Sequence, residues 1–166
     1  TQNNQGLAVT IASPYRNLTV QGVADPRVRI TNANRLASDQ VNPLYTQNKY
    51  GSLTAPTPIA TGIEAQLILA EAQGGASGIS ILNALRARAG VALPPLTAAE
   101  EAAFATTLAE ERNRELFLQG NRWYDLKRLN LPQVPAAGTP YAKGGTYGNQ
   151  RCWPLPDAEK LANPNF

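Results

Sequence analysis

The chain has no histidine, no methionine and a single cysteine among 166 residues. It also lacks any apolar run near the roughly 20 residues that a membrane-spanning helix needs. Each absence closes a class of function. Without histidine the commonest general base and metal ligand is gone, so zinc sites and Ser-His or Cys-His nucleophiles are not expected. Cys152 cannot form an internal disulfide, and it follows Arg151 rather than the small and apolar residues of a lipid-attachment signal. It is expected to be a small buried residue. Without methionine, Thr1 is not an initiator, so the chain is expected to be a piece of a longer protein. The piece is expected to carry no signal peptide of its own and to be soluble, without an anchor. Charge is sparse as well: 15 basic and 12 acidic residues, net +3, are scattered with no dense Lys/Arg block. Nucleic acid is therefore not expected as a partner. No motif requires a cofactor, because AKGGTYG at 142–148 lacks the spacing and the strand-to-helix context of a phosphate loop and reads as a flexible turn.

What is present is a helical middle. The length predicts one domain, divided into a loop-rich lead-in at 1–58, a helical core at 59–130 and a loop-rich tail at 131–166. The lead-in is dense in Asn, Gln, Thr, Pro and Gly and has room only for short strands, at Leu7 to Ile11 and Val28 to Ile30. So long a loop is uncommon in a self-contained domain, which argues that it drapes over helices or over chain outside this piece. Ile63, Leu67 and Glu71 then form one helical stripe ending at Gly74-Gly75. A second helix runs from about Gly78 to Ala89, and the two should pack as an antiparallel hairpin. Thr97 to Glu100 reads as a capping box opening the longest helix, to about Leu118. Gly120 suits a helix-ending position of positive φ, with a further helix from about Arg122 to Leu129 and a short turn at Asp157 to Leu161. The expected fold is mainly α, antiparallel helix pairs with extensive irregular loops.

Charges interrupt these apolar stripes. Arg112 lies between Leu108 and Leu116 at helical spacing, and a buried guanidinium must be paired. Glu111 and Glu115 stand one turn apart and repel unless a cation lies between them, which Arg112, Arg114 and Arg122 are placed to supply. Glu71 and Arg112 are expected to be largely buried, with Arg86 a third such residue. The expected ion network comprises Glu71, Arg86, Glu111, Arg112, Glu115, Arg122 and Asp125. Glu111 and Glu115 also have the separation of a glycoside-hydrolase pair. A general acid needs a dry apolar pocket to keep its proton, and nearby arginines work against that, so no catalytic residue is expected.

The ordered pieces resemble the C-terminal part of the RagB/SusD family. Asp25-Pro26-Arg27, Lys49-Tyr50, IEAQLILAEA from Ile63, ILNALRARAG at 81–90, ERNRELFLQGNRWYDLKR at 111–128, WPLP at 153–156 and Asn163-Pro164-Asn165 follow the family's order of motifs. The chain departs from the pattern at Thr61, Gly62 and Gln119. The resemblance implies tetratricopeptide-related helix pairs. It also implies an outer-membrane lipoprotein, lipid-anchored in a longer parent on the extracellular face, that captures an oligosaccharide or other nutrient for a TonB-dependent SusC-like channel. No motif carries ligand residues over. Sugars stack on aromatic faces, and Trp123 and Trp153 are expected in core packing, so Tyr141 and Tyr147 in the Gly-rich loop at 138–148 are the expected ligand-binding residues. The alternative is a helical scaffold that contacts a partner protein and has no glycan site of its own.

Overall fold

A computed structural model describes residues 9–152 and 156–162. Trp153, most of WPLP, the closing Asn163-Pro164-Asn165 and the start of the Leu7 to Ile11 segment lie outside the described residues. The chain forms two compact units, Thr1–Leu131 and Pro132–Phe166. The described residues are mainly helical.

The lead-in carries more strand than its composition suggests. A short 3-10 turn at Ser13–Tyr15 precedes β1 (Thr19–Val20) and β2 (Val23–Ala24), an antiparallel pair joined by Gln21 and Gly22, both at positive φ. That is the backbone of a two-residue hairpin turn whose twist matches its strands. β3 (Ile30–Leu36) and β4 (Pro43–Gln47) form a second antiparallel pair, in register from Ile30 opposite Gln47 to Asn32 opposite Tyr45. The register then shifts around Asn34, at φ 52°, whose N–H donates to Asn32 Oδ1. Most of β3 is exposed, so its sequence ITNANRL shows no apolar alternation and gives no strand signal. Of the expected Val28 to Ile30 strand only Ile30 is extended ladder, while Val28 is buried coil. Ile11 is not in a strand, but its N–H donates to Tyr45 O at 3.0 Å. The lead-in lies over the helices through long side chains: Lys49 Nζ donates to Phe117 O at 2.6 Å, and Gln21 Nε2 to Pro95 O at 2.7 Å.

Helix α1 (Gly62–Gln73) starts at Thr61, whose side chain accepts from the Glu64 N–H, and ends at Gly74 with φ 58°. Helix α2 (Gly75–Ala87) follows at once, starting earlier and ending sooner than the expected Gly78 to Ala89. Gly78 is thus an interior contact rather than a start: a Cβ there would lie 2.5 Å from Phe104 Cζ and 2.7 Å from Ala70 O. Its lack of a side chain lets α2 approach α1 and Phe104. Leu67, Ala70, Leu82, Leu85, Leu96, Leu108 and Leu116 fill the core, flanked by Ile63, Ile79, Ile81 and Phe104. Each fully buried leucine contributes about 1.5–3 kcal/mol relative to leaving it in water.

The capping box at Thr97 and Glu100 is present, but the long helix it was expected to open is interrupted. Helix α3 (Ala98–Ala102) stops at Ala103, and α4 (Phe104–Glu115) begins anew. Thr107 Oγ1 donates to Glu100 O at 2.8 Å, supplying from a side chain a bond that a continuous helix would take from its backbone. α4 ends at Glu115 rather than near Leu118, which itself stands at φ 59°. Gly120 does have positive φ, 83°, but as the N-cap of α5 (Asn121–Arg128) rather than the end of α4. A last helix, α6, spans Asp157–Ala162.

Candidate functional site

The charges of α4 meet residues from every part of the first unit. Glu111 is 2% exposed; its Oε2 accepts from Arg27 Nη1 at 2.6 Å and its Oε1 from Arg86 Nη2 at 2.8 Å. Glu115 is 7% exposed; its Oε1 accepts from Arg27 Nη1 at 3.2 Å and Arg88 Nη1 at 2.6 Å, and its Oε2 from Arg88 Nη2 at 2.7 Å. Arg27 is held in turn by Asp25, with Nε on Oδ1 at 2.8 Å and Nη2 on Oδ2 at 2.7 Å, a two-pronged pairing that fixes the guanidinium plane. Arg86 also reaches Glu100 Oε1 at 2.7 Å.

The cation between Glu111 and Glu115 is therefore Arg27, not Arg112, Arg114 or Arg122. Two of those three point elsewhere: Arg112 Nε donates to Asp125 Oδ2 at 2.9 Å and Arg114 Nη1 to Asp25 Oδ2 at 3.3 Å. Arg122 makes no ion pair among the described residues, and its buried Nη1 has no hydrogen-bond partner. Arg112 is buried at 6% exposure, whereas Glu71 is only half-buried, because its partner Arg128 lies near the surface and draws the carboxylate outward. Arg128 Nη2 also donates to Asp125 Oδ1 at 3.0 Å, so Asp125 joins two arginines and ties α5 to α4 and α1. Sequence reasoning missed Asp25, Arg27, Arg88, Glu100 and Arg128 as members of this network. For the first two the signal was the Asp25-Pro26-Arg27 motif, whose partners come from far along the chain and leave no local pattern.

Burial alone would raise the Glu100 carboxyl, but the Arg86 guanidinium and the Thr97 amide and hydroxyl outweigh it and hold it at about 2. Burial likewise works against ionised Asp25, and bonds from Arg27 with the charge of Arg114 bring its carboxyl below the usual range. For Arg27, bonds from Asp25 and Glu111 overcome burial and keep the guanidinium charged. Every oxygen of Glu111 and Glu115 accepts from a guanidinium, and both side chains are buried. Among the described residues no group of His, Cys, Asp or Glu is placed to hold a metal ion, and no helix is long and apolar enough to cross a membrane.

Tyr141 and Tyr147 lie in the second unit, in a small hairpin where Pro140 pairs with Thr146 and Gly138 N–H donates to Tyr147 O at 2.8 Å. Tyr147 N–H donates back to Thr139 O, and Gly144 and Gly145 take positive φ at its tip. AKGGTYG is thus a hydrogen-bonded turn. Its two rings meet edge to face with centroids 5.3 Å apart and are 39% and 37% exposed. Cys152 is exposed and free rather than buried, because residues 136–152 bury no side chain that would form a core around it. Trp123 is half-buried beside Arg122 at the start of α5.

A model of the SusD family matches residues 64–165. The chain belongs to the SusD family. Members are outer-membrane-associated binding proteins that serve nutrient and glycan uptake together with SusC-like, TonB-dependent transporters. The match begins inside α1 and ends with the second unit, so Asp25 and Arg27, at the heart of the ion network, lie before it. No curated protein and no solved structure matches the chain.

Proposed function

We propose that this SusD-family chain captures a glycan or another nutrient for a TonB-dependent SusC-like channel, without catalysis, as part of a lipid-anchored parent on the extracellular face. The family match over 64–165 carries the reading. Two features of the geometry support it. The carboxylates that would have to perform hydrolysis are closed off by Arg27, Arg86 and Arg88, and the Tyr141 and Tyr147 rings are exposed at an angle, offering one face and one edge to a pyranose.

Titration of the chain against a panel of oligosaccharides tests the site. Binding that weakens about tenfold on Tyr141→Ala or Tyr147→Ala is the expected outcome, corresponding to one lost stacking contact of about 1.4 kcal/mol. Release of reducing sugar that disappears in Glu111→Gln would overturn the non-catalytic reading. The second reading is a helical scaffold that touches only a partner protein. Ile68 and Leu69 favour it, being 56% and 43% exposed on α1. Oligosaccharide binding by a longer parent but not by this chain would decide for the scaffold.

A further inference from the structure

A cavity of about 400 Å³ opens where the lead-in meets the ends of α2 and α4. Arg29 just before β3, Lys49 just after β4, Arg88 at the end of α2 and Gln119 beyond α4 all line it. Arg29 is exposed and Gln119 half-buried, and neither side chain makes a hydrogen bond or ion pair among the described residues. Lys49 is half-buried; one N–H of its ammonium donates to Phe117 O, and the other two meet no acceptor among the described residues. The Arg88 side chain, 28% exposed, turns Nη1 and Nη2 to Glu115 and leaves Nε free. Glu115 is the one carboxylate among the described lining residues, and Arg27 and Arg88 already fill its oxygens. In the network beneath, each carboxylate is matched by a guanidinium, Asp25 by Arg27, Glu111 by Arg86 and Glu115 by Arg88. Arg29 and Lys49 are therefore positive charges in excess of that balance. Burial, and then the like charge of Arg29, press the Lys49 ammonium below its usual range, and Glu115 opposes them without restoring it.

From this geometry we propose that the cavity binds a tetrahedral oxyanion, the phosphate or sulfate group of a small ester, between Arg29, Lys49 and the free edge of Arg88, with the Gln119 amide as a neutral donor. Cations brought from three separate segments suit an anion whose oxygens point several ways, whereas a single guanidinium fork already satisfies the two oxygens of a carboxylate. An anion seated there offsets the repulsion between Lys49 and Arg29 and accepts from the donors left over. The volume lies within the range of small-molecule sites, so the organic part of the ester has room beside the anion. The inference is independent of the glycan reading, which rests on the other unit.

Calorimetric titration of the full chain at pH 7 in a phosphate-free buffer tests the pocket, with glucose 6-phosphate, glucose 6-sulfate and glucose as the uncharged control. Tighter saturable binding of the first assigns a phosphate ester, tighter binding of the second a sulfate ester, and equal binding the oxyanion they share. Each of these supports the pocket provided that glucose does not bind and that Arg29→Gln and Gln119→Glu each weaken affinity at least about fivefold, as loss of a bond to a charged group should. Neither replaced side chain makes a bond in the folded chain, so both variants should fold as the parent does. Gln119→Glu also keeps the shape of the wall while placing a competing negative charge in it. Arg35→Gln, at an exposed arginine of β3, controls for general attraction to a basic chain and should change affinity by less than about twofold. No saturation by either ester, glucose binding as tightly as the esters, unchanged affinity in either variant, or an equal loss in Arg35→Gln overturns the inference.

Discussion

Glu111 and Glu115 on α4 and Tyr141 and Tyr147 in the hairpin of the second unit are opposites in their surroundings. The carboxylates are 2% and 7% exposed, and each of their oxygens accepts from an arginine. The tyrosine rings are more than a third exposed and meet each other edge to face. A group whose bonding capacity is filled by its own chain fixes architecture, and a ligand needs capacity left over. The contrast fits a structural role for the first pair and is the reason recognition is proposed for the second.

Arg27→Ala should strike the first region hardest. Its side chain is 2% exposed and bonds Asp25, Glu111 and Glu115 together, so its loss leaves three carboxylates facing one another with one cation fewer. A loss of about 3–5 kcal/mol is expected in urea unfolding, the range for breaking a buried pair from one side. A loss below 1 kcal/mol would mean that the network is ornamental and would erase the contrast. Gly78→Ala should cost less, about 1–3 kcal/mol, because the added methyl meets Ala70 O, a backbone atom, as well as the Phe104 ring. An unchanged midpoint would show that α1 and α2 separate easily.

The rim of the network should respond to pH. The folded-state carboxyl of Glu100 is held at about 2 against an ordinary 4.5, so folding favours its ionised form. The stability it contributes is complete above about pH 4.5 and is lost as pH falls toward 2. Asp25, also lowered, adds to the acid-side loss. Because the Glu100 side chain is 30% exposed, solvent screening reduces its share to about 1 kcal/mol. Glu100→Gln should therefore be less stable at pH 7 and should lose less than the parent between pH 4.5 and 2. Parallel stability curves for the two proteins would remove Glu100 from the network's energetics.

The helices were legible because their signals are local. Thr97 and Glu100 form the capping box that their spacing predicts, and the Leu67, Leu82 and Leu108 stripes meet in one core. Arg112 was legible for the same reason: a charge inside an apolar stripe demands a partner, and Asp125 is there. What sequence spacing missed is what depends on distant chain. Arg27 is separated from Glu111 by 84 positions, and no periodicity connects them. The exposed strand β3 carries no alternation, and the break at Ala103 depends on whether the Thr107 hydroxyl turns back to Glu100 O. Among the candidate site residues, Arg122 shows the limit most plainly. Its charge suggested a bridge between the α4 glutamates, yet its place at the start of α5 sets it against a cavity instead.

The smallest expected effect on stability belongs to the second region. Tyr141→Ala should shift the unfolding free energy by no more than about 0.5 kcal/mol, as for a surface side chain outside any packed cluster. The hairpin is held by backbone bonds from Gly138, Tyr141, Gly144 and Tyr147, which the substitution leaves in place. What it removes is one ring of an edge-to-face pair, so oligosaccharide affinity should fall while the thermal midpoint stays put. The opposite pattern, a large loss of stability with affinity intact, would make Tyr141 and Tyr147 a structural pair like Glu111 and Glu115. Recognition would then have to be sought on α1 around Ile68 and Leu69, where apolar side chains are left exposed.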